Sequence, residues 1–160
     1  MPNPFYQIYG GATLFAGAEA KFMDCNEENN FQIDLKSIDK KEWEKCQLLV
    51  LCSPSNPTGK VMTRHDLRYV IELSNKYNFK ILSDECYLDI YFKEKPSSIL
   101  EAAFEVNGNF KNVIALHSLS KRSNLPGFRS GCATGDAEII SAYSKYRICL
   151  LYTSPSPRDY

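Results

Sequence analysis

The fold turns on Leu48-Leu49-Val50-Leu51-Cys52, followed at once by Ser53-Pro54-Ser55-Asn56-Pro57-Thr58-Gly59. An apolar run with no polar alternation suits a strand covered on both faces, as in a parallel sheet. The next seven positions hold two prolines and a glycine, so neither helix nor strand can continue and the chain must turn. Beyond the turn, Thr63 and Asp66 stand in the spacing of a capping box. Leu67, Val70, Ile71 and Tyr77 then keep helical spacing, which predicts a helix ending near Tyr77-Asn78.

Working outward, 79–82 reads as a second short strand closed by Ser83-Asp84-Glu85. A third, 113–116, is closed by His117-Ser118-Leu119-Ser120-Lys121. Further helices are expected over 34–43, 97–106 and 137–146. Strands that alternate with helices imply a parallel α/β sheet with helices packed on its faces. After Arg147 the periodicity stops. Thr153-Ser154-Pro155-Ser156-Pro157-Arg158-Asp159-Tyr160 reads as a disordered end.

The chain has 160 residues, enough for one domain with a real core, and 44% of them are hydrophobic against 24% charged. Nineteen Lys plus Arg balance nineteen Asp plus Glu, so no electrostatic footprint points to nucleic acid or an anionic membrane. The apolar runs fall far short of the roughly 20 residues that span a bilayer, and the start Met1-Pro2-Asn3-Pro4 does not read as a signal peptide. A cytoplasmic protein is expected. The six cysteines are scattered singly, with no C-x-x-C pair, and read as free thiols in a reducing compartment rather than as a zinc site.

Ligands of open parallel sheets bind beyond the carboxyl ends of the strands. Three predicted strand ends here carry unusual polar groups: Asn56, Asp84 with Tyr87, and Ser118 through Lys121. Singly, each has an ordinary explanation as a turn former, a helix cap, a core aromatic or a surface charge. Together, a carboxylate, a lysine, hydroxyl donors and Arg129 are what a phosphorylated pyridine aldehyde requires. A lysine amine condenses with an aldehyde, a carboxylate keeps a ring nitrogen protonated, and hydroxyls with an arginine fork hold a phosphate dianion.

These residues resemble the pyridoxal-phosphate-dependent aminotransferases of class I/II, fold type I. The resemblance rests on Ser55-Asn56-Pro57-Thr58-Gly59, on Asp84-Glu85-Cys86-Tyr87, and on Ser118-Leu119-Ser120-Lys121 followed by Gly127-Phe128-Arg129-Ser130-Gly131. It implies a three-layer α/β/α fold with a mostly parallel sheet, pyridoxal 5'-phosphate as cofactor, amino acids and 2-oxo acids as substrates, and a homodimer. By motif, Lys121 is the lysine that bonds the cofactor and carries the proton, and Asp84 pairs with the ring nitrogen. Asn56 and Tyr87 bond the ring's phenolic oxygen. Ser118, Ser120 and Arg129 hold the phosphate, and Tyr6, from Pro4-Phe5-Tyr6, stacks on the ring.

The resemblance covers residues 2–147 as part of the large, cofactor-binding domain, and 148–160 reads as a tail foreign to the family, like translated sequencing-adapter sequence. It leaves no candidate for the arginine that clamps the substrate carboxylate, so the chain reads as a fragment, inactive and poorly assembling by itself. Within the family, the stretches around Pro4, Asp84 and Lys121 are most similar to bacterial succinyldiaminopimelate aminotransferases of lysine biosynthesis. An aspartate or broad-specificity aminotransferase is the nearest alternative. Two other classes stay open: the cofactor-binding sensor module of a transcriptional regulator, and a cofactor-free domain in which Asp84 and Glu85 hold a divalent cation. Extended geometry sends those two side chains to opposite sides, which weighs against the cation.

Overall fold

The computed structural model describes residues 1–150, with the backbone alone at residue 150. Its centre is a four-stranded sheet of β3 (Leu48–Cys52), β4 (Lys80–Asp84), β5 (Val113–Ser118) and β6 (Gly131–Gly135), in that order. The first three run parallel and β6 returns antiparallel. A two-stranded parallel pair, β1 (Pro2–Asn3) and β2 (Met23–Asp24), stands apart. The helices are α1 (Ile8–Phe15), α2 (Lys40–Lys45), α3 (Arg64–Tyr77), α4 (Ile99–Asn107), α5 (Leu119–Arg122) and α6 (Ala137–Leu150).

The period of two along each strand sorts the core into two layers. Leu49, Leu51, Ile81, Val113 and Ala115 pack with Leu67, Val70 and Ile71 of α3 and with Ile99, Ala102 and Ala103 of α4. Full burial of each large aliphatic side chain contributes about 1.5–3 kcal/mol. On the opposite face Val50 and Cys52 pack with Tyr9 of α1, flanked by Phe5 and Leu82. Helices therefore cover both faces, as the three-layer expectation requires.

Helix α3 starts at the capping box read from the sequence, with Thr63 and Asp66 bonding each other's backbone N–H, and stops at Asn78, whose φ of 58° is left-handed. A second capping box, Ser98 with Glu101, starts α4 within the expected 97–106. The helix expected over 34–43 is not there as such. The Asp34 carboxylate accepts from the N–H groups of Lys36 and Ser37 and forms a turn, and Asp39 then caps the shorter α2. Short acidic side chains that bond nearby backbone compete with helix, and here they divide one expected helix into a turn and six helical residues.

Strand β5 runs two residues past the expected end because His117 and Ser118 pair with Cys132 and Gly131 of β6. Close approach of these strands demands glycine. A Cβ on Gly135 would lie 2.0 Å from the Val113 carbonyl oxygen, and one on Gly131 would lie 2.6 Å from that of His117. Helix α6 extends to Leu150, past the break in pattern at Arg147. The disordered end expected over 153–160 lies outside the described residues. Among the described residues all six cysteines are free, no group of acidic, His and Cys side chains could hold a metal, and no helix is long and apolar enough to cross a membrane.

Candidate active site

Parallel register brings the carboxyl ends of β3, β4 and β5 to one edge of the sheet, where Cys52 lies opposite Asp84 and Asp84 opposite Leu116. Ser118 ends β5, and Gly131, its partner, opens β6 at the same edge two residues after Arg129. All the strand-end candidates, together with Asn56 in the turn after β3, therefore gather on one rim.

Asp84 shares the face of Leu82 and looks toward α1. Its Oδ2 accepts from the Tyr9 hydroxyl at 2.5 Å and its Oδ1 from the Cys86 backbone N–H at 3.1 Å. Each oxygen keeps a lone pair for a further donor. Burial, reinforced by the bond to Asp84, pushes the Tyr9 hydroxyl far above the ordinary tyrosine range, so it stays a neutral donor. Burial also pushes the Cys86 thiol, beside the same carboxylate, up to about 12. The Tyr6 ring meets Tyr9 edge-on, with centroids 5.8 Å apart.

Glu85 goes the other way. Its carboxylate accepts from Ser98 Oγ at 2.7 Å, from the Ile99 N–H at 2.7 Å and from Ser83 Oγ at 3.2 Å, with His117 Nε2 at 3.8 Å. Burial raises its pKa above the usual carboxylate range, against the pull of those donors. The adjacent acids thus serve opposite faces, and they form no cation site.

Lys121, in the single turn of α5, places its ammonium 5.7 Å from the centre of the Tyr87 ring. Ser118 Oγ accepts from the Ser120 N–H and caps that turn. Arg129 adopts a left-handed φ of 49°, and its Nη1 donates to the Pro126 carbonyl at 3.0 Å, leaving the other guanidinium donors toward solvent. The contacts therefore join Tyr6, Tyr9 and Asp84 in one group and Tyr87 with Lys121 in another. Asn56, Ser120 and Arg129 share the rim without a side-chain bond to either group. Tyr9 carries no motif of its own in the sequence; its one signal is the three-residue spacing from Tyr6 at the entry to α1.

The donor set suits pyridoxal phosphate. A carboxylate fixed by two protein donors has a lone pair to spare for a ring N–H, an exposed lysine amine stands on the same rim, and two serines with a guanidinium can receive a phosphate.

A mostly parallel sheet with flanking helices is the fold of the fold-type-I aminotransferases, and solved aminotransferases superpose on this chain. The chain belongs to the aminotransferase class I and II family, whose profile matches residues 1–158. It is 34% identical over 147 residues to the LL-diaminopimelate aminotransferase of Maridesulfovibrio salexigens, covering 91% of this chain and 37% of that protein. The enzyme of the same name from Aquifex aeolicus is 35% identical over 147 residues, with the same coverage of 91% and 37%. Among solved structures, the aminotransferase AspB of Helicobacter pylori superposes with a TM-score of 0.90 at 44% identity, over 96% of this chain and 40% of that one. A probable N-succinyldiaminopimelate aminotransferase of Thermus thermophilus gives 0.87 at 28% identity, over 96% and 40%. The chain thus spans well under half the length of the proteins it matches.

Proposed function

We propose that the protein to which this chain belongs transfers an amino group between an amino acid and a 2-oxo acid, with pyridoxal 5'-phosphate held on the rim by Asp84, Lys121 and their neighbours. The observation that carries this reading is the joint placement of a carboxylate anchored by two donors and of an unpaired lysine amine at the ends of adjacent parallel strands. Residues 1–147 are then part of the large domain, and the protein assembles as a cytoplasmic homodimer.

When bound, the cofactor supplies an aldehyde that condenses with amines and a protonated ring that draws electrons from the substrate α-carbon. Lys121 would hold that aldehyde through its amine. Lys121 Nζ would also be the group that carries the proton to and from the substrate α-carbon. Asp84 would accept from the ring N–H, and Tyr9 and the Cys86 N–H hold that carboxylate in orientation. Asn56 and Tyr87 donate to the phenolic oxygen. Ser118, Ser120 and Arg129 bind the phosphate, and Tyr6 covers one face of the ring and excludes water from it.

For substrate, we propose a diaminopimelate-type amino acid, succinylated or free, with a dicarboxylic partner, in lysine biosynthesis. Support comes from the stretches around Pro4, Asp84 and Lys121 and from the names of the relatives. An aspartate aminotransferase is the second reading, favoured by the 44% identity to AspB.

The test is to express the full reading frame with pyridoxal phosphate, reduce with borohydride and map the labelled lysine. Label on Lys121 is expected, and label on another lysine overturns the assignment. Parallel assays with succinyldiaminopimelate, LL-diaminopimelate and aspartate decide the substrate.

A further inference from the structure

Both segments carrying the Tyr87–Lys121 contact are short and irregular. Helix α5 has only four residues, too few for a stable isolated turn, and Tyr87 lies in an irregular turn held by Leu88 N–H to the Glu85 carbonyl and Ile90 N–H to the Tyr87 carbonyl. An ion pair ties the two together. Arg122 Nε lies 3.0 Å from Asp89 Oδ2, and Lys95 Nζ reaches the other oxygen, Oδ1, at 3.1 Å. Asp89 is two residues past Tyr87, and Arg122 is the next residue after Lys121, so the pair closes a ring: Tyr87 to Asp89 by chain, Asp89 to Arg122 by charge, Arg122 to Lys121 by chain, and Lys121 to the Tyr87 ring by contact.

We infer that Asp89 and Arg122 form an ionic latch that sets the separation of the Lys121 amine from Tyr87, making both of them positioning residues for the lysine. Lys95, on the loop side of Asp89, holds the carboxylate's other oxygen. Lys95 first, with Arg122 and His117 assisting, keeps the Asp89 carboxyl below its usual range, so it is charged at neutral pH. An isolated exposed pair contributes little to stability. The same modest energy matters more where it fixes the distance between two groups of one site. The inference rests on the proposed roles of Lys121 and Tyr87.

The test uses the holoenzyme from the full reading frame, with the Asp89→Asn, Arg122→Gln and Lys95→Gln variants and the charge exchange Asp89→Arg with Arg122→Asp made on the Lys95→Gln background, where no ammonium faces the new arginine. The readouts are the cofactor release rate and the pH midpoint of the bound cofactor's absorbance band. Asp89→Asn and Arg122→Gln should each speed release about threefold and move the midpoint in the same direction. Lys95→Gln should move both by less than either latch variant, and the charge exchange should restore both to the Lys95→Gln level. A purely electrostatic influence on the lysine nitrogen would move the midpoint down for Asp89→Asn and up for Arg122→Gln, which overturns the latch. Failure of the charge exchange to restore release overturns it too. Borohydride mapping of the unaltered enzyme separates the two failures: label away from Lys121 defeats the site assignment, whereas label on Lys121 with unresponsive variants defeats the latch alone.

Discussion

The Tyr9 hydroxyl donates to Asp84 Oδ2 at 2.5 Å across 75 positions of sequence. It joins the helix that follows the first aromatic motif to the strand end that carries the acid. It also connects Asp84 to the Tyr6 ring, proposed to cover the cofactor, which stands edge-on to Tyr9.

Tyr9→Phe keeps the packing and removes one donor to a charged acceptor, a bond of about 1.5–3 kcal/mol. Cofactor retention should weaken about tenfold, with a fall of several degrees in melting temperature. Equilibrium dialysis of pyridoxal phosphate against both proteins checks this. Asp84→Ala removes the carboxylate itself and should nearly abolish transamination; an unaffected rate would remove Asp84 from the mechanism.

Glu85 gives a pH signature of its own. Its pKa is raised on folding, so its contribution to stability is complete below about 4.5, where it is protonated in both states, and is lost as pH rises through the folded value. The stability advantage of the native chain over Glu85→Gln should therefore shrink as pH rises above the ordinary carboxylate range and through the raised folded pKa. Urea unfolding at stepped pH measures it.

Gly135→Ala should be far more damaging than an ordinary surface change. The new Cβ would meet the Val113 carbonyl oxygen at 2.0 Å, and the backbone φ of 141° disfavours any side chain. A loss of about 2–4 kcal/mol is expected, seen as loss of soluble protein or a lowered unfolding midpoint.

Thr63→Ala breaks the capping box of α3 far from the rim. It should cost about 1 kcal/mol, a fall of about 2–4 °C in melting temperature for a chain of this size, with cofactor affinity unchanged.

The strands at Leu48, Phe79 and Val113, the α3 start at Thr63, the α4 start near Ser97 and the rim motifs were legible because each is written in adjacent residues: an apolar run, a capping pair, a strand end. The turn at Asp34 was misread as helix because its outcome depended on which backbone N–H groups one carboxylate reached. Strand β6 was missed because its glycines look like loop until β5 is beside them.

Local patterning by itself determined that this chain builds a parallel α/β sheet and that acid, lysine and hydroxyls sit where its strands stop, since apolar runs, caps and turns act over a few residues. Only the tertiary structure decided that Tyr9 serves Asp84, that Glu85 serves α4 and His117 instead, and that Asp89 reaches Arg122. Those partners are far apart in the chain, and they meet only because the parallel register lines up strand ends whose side chains alternate between two faces.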